Sequence, residues 1–162
     1  MDLSRRDFVA TSAAGLAATA ILPCLNAYGA GFTRFAPEPL KVGLVGCGRQ
    51  GRVIMTELQK IEGVTIVAVC DTEQSRADNA AKRVQGATAY SSIAPMLDKS
   101  KDVAAVIIAT PTHLHKDVAL AALAAGKHVY CEAPLAHSVA DAKAIAAAAA
   151  SAGSKVIFAV GF

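Results

Sequence analysis

At 162 residues the chain fits one domain of ordinary size, roughly 100 to 200 residues, and not a two-domain enzyme. Hydrophobic residues, mostly alanine, make up 54% and aromatics 5%, with a mean hydropathy of +0.41, so disorder is excluded and an alanine-packed core is expected. The 16 Lys plus Arg against 13 Asp plus Glu give a net charge of +3 with no basic block, which disfavours nucleic acid as a partner. The longest apolar stretch, Ala13 to Leu25, is broken by Gly15, Thr19 and Pro23. A membrane span needs roughly 20 apolar residues in a row, so no transmembrane helix is expected.

The N-terminus has the order of an export signal. Ser4-Arg5-Arg6-Asp7-Phe8-Val9 precedes a weakly hydrophobic Ala/Gly/Thr segment, then Pro23 and the small residues Ala27-Tyr28-Gly29-Ala30. The pattern resembles a twin-arginine signal peptide over residues 1–29, cleaved after Gly29, and that resemblance implies a periplasmic or secreted protein. The alternative is an ordinary helix start with Ser4 as N-cap, but no amphipathic period follows. Residues 30–39, ending in Pro37-Glu38-Pro39, form a linker. Cys24 leaves with the signal, and the remaining Cys47, Cys70 and Cys131 lack C-x-x-C spacing. That argues against a disulfide framework and a zinc site, and Cys70 and Cys131, at the ends of predicted strands, read as small buried hydrophobes.

From residue 40 to 162 the chain alternates apolar runs with helical periods. Leu40 to Val45 is a strand that stops at Gly46-Cys47-Gly48-Arg49-Gln50-Gly51. Val53, Ile54, Leu58 and Ile61 follow with helical spacing, with Gly63 as C-cap. Val64 to Cys70 is the second strand and ends at Asp71. This is a βαβ unit with the G-x-G-x-x-G pattern, in which each glycine has its own task. Gly46 makes the tight turn, Gly48 lets the backbone approach a pyrophosphate, and Gly51 packs the helix on the strand. The helix N-terminus favours an anion by about 0.3 to 1 kcal/mol. Asp71 is placed where a carboxylate accepts hydrogen bonds from both adenosine ribose hydroxyls, and it would repel a 2′-phosphate, so NAD is preferred over NADP. The alternative use of Asp71 is to cap the helix beginning near Ser75.

Further along, the pattern predicts a helix from Ser75 to Val84, a strand over Ala87 to Tyr90, a helix around Ile93 to Leu97 and a strand from Val103 to Ala109. Thr110 then caps a helix that has Pro111 in its first turn and runs to Ala125, stopping at Gly126. His128 to Glu132 is a strand, Ser138 caps an alanine-rich helix to Ala152, Gly153 ends it, and Lys155 to Val160 is the last strand. Six parallel strands joined by helices predict an α/β doubly wound sheet (Rossmann) in the order 3-2-1-4-5-6. Ligands in such sheets bind at the carboxyl ends of the strands. That edge collects Gly46 to Gly51, Asp71, Thr110 to His115 and Glu132 to Pro134.

These residues resemble the glucose-fructose oxidoreductase, inositol dehydrogenase and rhizopine catabolism group (Gfo/Idh/MocA). The resemblance rests on Val42-Gly43-Leu44-Val45-Gly46-Cys47-Gly48, on Thr110-Pro111-Thr112-His113-Leu114-His115, and on Ala125 to Ala136 around Glu132-Ala133-Pro134. It implies NAD or NADP binding and oxidation or reduction of sugars or polyols. It further implies that His113 and His115 line the nicotinamide site, against a reading as helix-start residues. Arg49 is read as a pyrophosphate contact from the glycine turn, against a solvated side chain, and Gln50 of the same turn, Thr110, Pro111 and Glu132 are counted with the cofactor contacts. Arg76 is a phosphate contact for NADP only, which Asp71 opposes.

Two departures stand out. Ala133 occupies the place of the family's Glu-Lys-Pro lysine, removing a cationic donor. The sequence also stops at Phe162, where the family continues into a substrate domain that holds its catalytic histidine. The expectation is therefore an NAD-binding domain, truncated and inactive alone, with no catalytic residue assigned, a sugar or polyol substrate only if the missing domain is supplied, and an oligomer possible. The competing readings are a non-catalytic nucleotide-binding or interaction module, and a fragment of an NAD-dependent glycoside hydrolase relative.

Overall fold

The fold is described from a computed structural model, over residues 38–161. The expected export signal and residues 30–37 of the linker lie outside the described residues. Six strands form one sheet: β1 (Leu40–Val45), β2 (Val64–Cys70), β3 (Thr88–Tyr90), β4 (Ala105–Ile108), β5 (His128–Cys131) and β6 (Phe158–Val160). Their order is β3-β2-β1-β4-β5-β6, and every pairing is parallel. The helices are α1 (Arg49–Leu58), α2 (Gln74–Arg83), α3 (Ile93–Lys99), α4 (His115–Ala124) and α5 (Val139–Ala152). This is the doubly wound arrangement that the alternation predicts.

Helices cover both faces, so the central strands are apolar on both sides. All four residues of β4 are buried, as are Val42 to Val45 of β1. Alternation along β1 divides the core in two. Val42 and Leu44 pack with Met55 of α1 and Ala80 of α2. Val45 packs on the opposite side with Met96 of α3, Ala119, Ala122 and Leu123 of α4, and Ile145 of α5. The β1–β2 register shifts between Val42 and Gly43, since Val42 faces Ile66 and Gly43 faces Ala68. A side chain at Gly43 would come within 3.1 Å of the Met96 Cε, so α3 rests directly on this strand.

Several boundaries differ from the periodicity reading. α1 ends at Leu58 with Gln59 as its cap, not at Gly63. Tight bonds from the Lys60 N–H to the Glu57 carbonyl and from the Ile61 N–H to the Leu58 carbonyl break the α pattern first. Gly63, at φ +81°, belongs to the turn that feeds β2, and its carbonyl accepts the Leu40 N–H at 2.7 Å. Thr110 does not cap α4: a 3₁₀ turn over Thr112–Leu114 intervenes, and extended Pro111 (ψ 142°) carries the chain away from Thr110. β4, β5 and β6 are shorter than expected, and a second 3₁₀ turn (Gly153–Lys155) replaces the start of the expected last strand. The cap at the head of α5 is as expected: the Ser138 Oγ accepts the Asp141 N–H at 3.1 Å, and Gly153 ends the helix at φ +71°. Lys116 ties α4 to this cap through a 2.7 Å ion pair with Asp141.

Cys47, Cys70 and Cys131 are free and buried, which agrees with the small-hydrophobe reading of the latter two. Burial pushes the thiols of Cys47 and Cys131 up to about 11 and that of Cys70 up to about 12, with the Asp71 charge adding to the first and third of these effects and Glu132 to that on Cys131. The unfolded thiols titrate near 9. Their contribution to stability is therefore complete below that pH and is lost as pH rises toward the folded values. The denaturant midpoint is expected to fall between about pH 8 and about pH 10, and to fall less in Cys131→Ala. Equal falls in both proteins would show that Cys131 has no part in it.

Candidate functional site

β1 lies between β2 and β4, so the chain leaves it toward opposite sides and a crevice opens beyond its carboxyl end. The glycine loop fills the floor of that crevice. Gly46 has φ +97°, and a side chain there would lie 2.5 Å from the Ala109 carbonyl oxygen. A side chain at Gly51 would collide with the Gly46 carbonyl at 1.8 Å, which is the close packing expected of the third glycine. Gly48 is different. Its φ of −70° suits any residue, and no atom lies within 4 Å of where a Cβ would stand. Nothing in the polypeptide itself requires glycine there, and it borders open space. α1 begins at Arg49 with no side-chain cap, which leaves its first N–H groups without intrahelical partners.

Asp71 faces this loop. One carboxylate oxygen accepts the Cys47 N–H at 2.8 Å, and the other accepts the Glu73 N–H at 2.9 Å. The residue keeps 8% of its surface exposed, and that surface borders the crevice. Asp71 therefore does both things the sequence allows: it orders the turn ahead of α2, and it presents its carboxylate beside the glycine loop. A carboxylate has about four lone-pair sites, so two N–H donors leave acceptor capacity for a ligand.

The crevice has a volume of about 400 Å³. Among the expected site residues, Gly46, Gly48, Arg49, Asp71, Thr110 and Pro111 line it. The Thr110 Oγ1 is buried and has no hydrogen-bond partner, an orphan donor and acceptor at the edge of the space. Gln50 and Glu132 are brought together outside this lining: the Gln50 Nε2 donates to the Glu132 Oε1 at 3.3 Å, and the Tyr130 hydroxyl donates to the same oxygen at 3.3 Å. His113 is exposed on the 3₁₀ turn and is not among the lining residues.

His115 departs most from its expected place. It is 1% exposed, with its Nε2 2.8 Å from the Thr110 carbonyl oxygen and its Nδ1 3.2 Å from that of Leu135. A neutral imidazole carries one N–H, and we assign it to Nε2 on the shorter contact. The ring therefore lies behind the crevice and joins the loop after β4 to the loop after β5. The signal for this was present in the sequence: His115, Ala119 and Ala122 share the i, i+4, i+7 face, and all are buried.

The periodicity reading also passed over Thr72, Ser92 and Asp117, which line the crevice together with Arg76 and with Leu114 from the expected Thr110 to His115 stretch. Thr72 and Ser92 follow the carboxyl ends of β2 and β3, so the rule that placed Asp71 reaches them too. Asp117 becomes visible only once the start of α4 is known. Ala133 is exposed, and no cation replaces it in the crevice lining apart from Arg49 and Arg76.

Residues 40–162 match the family described as an oxidoreductase family with an NAD-binding Rossmann fold, Gfo/Idh/MocA. The chain belongs to that family. Its domain binds NAD. An inositol 2-dehydrogenase of Salmonella paratyphi B is 38% identical over 120 residues, covering 73% of this chain and 35% of the relative. A glycosyl hydrolase family 109 protein of Shewanella amazonensis is 32% identical over 157 residues, covering 85% of this chain and 34% of the relative. Among solved structures, the myo-inositol dehydrogenase from Lactobacillus casei in complex with NAD(H) and myo-inositol superposes with a TM-score of 0.69 at 30% identity, covering 75% of this chain and 36% of that one. The chain thus spans about a third of the length of the relatives it matches.

Replacing His115 by leucine keeps the bulk but leaves the Thr110 carbonyl without its N–H donor. The expected cost is about 1 to 3 kcal/mol of stability, read as a lower denaturant midpoint at unchanged slope. An unchanged midpoint would refute the clamp.

Proposed function

We propose that this chain is the cofactor-binding domain of an NAD-dependent dehydrogenase acting on a sugar or polyol. The observation that carries the reading is the Asp71 carboxylate held against the glycine loop at 2.8 Å from the Cys47 N–H. The inositol 2-dehydrogenases among the relatives support the substrate class.

In this reading the open side of Gly48 and the free N–H groups at the head of α1 receive the pyrophosphate. Asp71 accepts from the adenosine ribose hydroxyls, and Arg49 adds a positive charge at the phosphates. The Thr110 Oγ1 gains the partner it lacks within the protein. Bound NAD supplies a hydride acceptor at its nicotinamide ring. Pro111 shapes the nicotinamide end of the crevice, and Glu132, anchored by Gln50 and Tyr130, lies on the adjoining loop. His113 stays a contact for substrate or nicotinamide from its exposed turn. Substrate contacts and the acid/base group are assigned to the part of the relatives' length that this chain does not span. With alanine at position 133, stabilisation of a developing alkoxide also falls to that part.

A second reading is favoured by one observation. The similarity to the glycosyl hydrolase family 109 protein extends over 85% of the chain, whereas the family match begins only at residue 40. It therefore takes in part of the N-terminal segment, which the 73% coverage of the Salmonella paratyphi B inositol 2-dehydrogenase match does not require. Hydrolysis would leave NAD unchanged overall, so net production of reduced cofactor separates the two readings.

Export by the twin-arginine route is part of the proposal, supported by the Ser4 to Val9 pattern. Replacing Arg5 and Arg6 with lysines is expected to hold the protein in the cytoplasm in a fractionation assay, and unchanged export would refute this part alone. For the cofactor site, calorimetric titration of Asp71→Ala with NAD is expected to show affinity about tenfold to a hundredfold below wild type, since charge-assisted hydrogen bonds contribute about 1.5 to 3 kcal/mol. Equal affinities would remove the ribose–carboxylate contact from the account.

A further inference from the structure

On the other side of the glycine loop, between α1 and α2, lies a second concavity of about 380 Å³. Its walls are Arg52 of α1 and Arg76, Asn79, Lys82 and Arg83 of α2, over a floor that includes Cys47. Arg76, Asn79 and Arg83 share one helix face by the i, i+3, i+7 spacing, and Lys82 flanks it. The two helices are tied at their far ends, where the Gln59 Nε2 donates to the Arg83 carbonyl at 3.1 Å.

Four cations converge on this space with no carboxylate in its lining. Among the described residues, none of the four makes an ion pair. Carboxylates along the two helices are engaged elsewhere: Glu57 with Lys60 at 2.7 Å, Glu73 with the Ser75 hydroxyl at 3.2 Å, and Asp78 with the Gln74 amide at 2.8 Å. Asp71 is turned to the Cys47 and Glu73 N–H groups. The floor adds no charge, because burial keeps the Cys47 thiol neutral. Like charges gathered without partners repel one another and do nothing for folding. Guanidinium groups present planar forks that match phosphate oxygens, which favours phosphate over a halide or a single carboxylate.

We propose that this concavity is a second anion site that takes an oligophosphate, distinct from the crevice that holds the dinucleotide pyrophosphate. A phosphate monoester carries about 1.5 to 2 negative charges near neutrality, so one such group leaves much of this positive charge unbalanced. A di- or triphosphate chain balances it. The volume also equals that of the neighbouring crevice to within about 20 Å³, more than one phosphate needs. Arg76 borders both spaces, so an anion in one is sensed at the wall of the other. The ligand is a free oligophosphate, since a phosphate carried on the adenosine ribose of a dinucleotide is a single monoester. The proposal does not require NAD in the crevice.

The test is calorimetric titration of the full chain with sodium tripolyphosphate, with and without saturating NAD. It is run on wild type, on Lys82→Gln/Arg83→Gln, and on Lys143→Gln/Lys155→Gln, which removes equal charge elsewhere. None of these residues lines the dinucleotide crevice, and all four are exposed, so thermal melts should coincide. Binding of tripolyphosphate to the NAD-saturated protein, weakened about tenfold or more only by Lys82→Gln/Arg83→Gln, with NAD affinity unchanged, establishes a site for a free oligophosphate. Displacement of tripolyphosphate by NADP but not by NAD, with NADP alone weakened in that variant, overturns the proposal, since the cations would then serve a single ribose-borne phosphate. Absence of tripolyphosphate binding overturns it as well. So does an equal loss in the two charge-matched variants, which would reduce the effect to bulk charge.

Discussion

The carboxylate of Asp71 holds two loops of different origin in one arrangement. Its oxygens accept from the N–H of Cys47, in the turn between β1 and α1, and from that of Glu73, just ahead of α2. A charge that retains so little contact with water is costly unless it is hydrogen-bonded, and these two donors meet that cost while fixing where the oxygens stand. The order of causes matters. Parallel pairing of β1 with β2 sets Val45 beside Cys70, so the loops that follow begin as neighbours, and the carboxylate then locks them together. A glycine loop without this lock would still turn at Gly46, but its N–H groups would not be aimed by anything beyond the turn itself.

That dependence explains which parts of the molecule could be read from the sequence. β1 and β2 agree residue for residue with the apolar runs that end at Gly46 and Asp71, because strands buried on both faces read as near-continuous hydrophobic runs. The strand order follows from helical crossovers and the handedness rule, which owe little to individual side chains. The failures have another character. Thr110 has the right identity for a cap but not the right backbone, since extended Pro111 separates it from the helix. Gly63 has the right conformation but serves the next strand. In both cases the deciding contact comes from a neighbouring segment, and a local pattern cannot report it.

The two histidines of Thr-His-Leu-His separate on the same principle. They are two residues apart, so a helical segment sends them to different sides, and α4 buries the second one with Ala119 and Ala122. Resemblance treats them alike. Packing does not: His115 carries the geometry of the loops after β4 and β5 from behind, while His113 remains at the surface. A residue can thus be essential to a site without bordering it, and its substitution would be felt first in stability and only then in affinity.

Charge is distributed unevenly around the glycine loop, and this bears on how a dinucleotide is oriented. On the α1–α2 side stand Arg52, Arg76, Lys82 and Arg83. On the β5 side stands Glu132, with its side chain held by Gln50 from the first turn of α1 and by Tyr130. In the proposed reading, a dinucleotide that extends past the crevice toward β5 has the cations of the α1–α2 side at one end and Glu132 at the other, separated by the head of α1. Its pyrophosphate, with its charge near the middle, would be drawn to the helix terminus, and a positively charged nicotinamide ring would be favoured toward Glu132 and away from the arginines. The same polarity works against reading Ala133 as a trivial loss. With no ammonium beside Glu132, the loop after β5 presents net negative charge where the family resemblance implies a balanced pair. An alkoxide forming near that loop would be repelled by the side chain that attracts the oxidised ring. In the dehydrogenase reading a cation must then come from outside this domain, and a chemistry that keeps the substrate oxygen neutral would suit the domain as it stands.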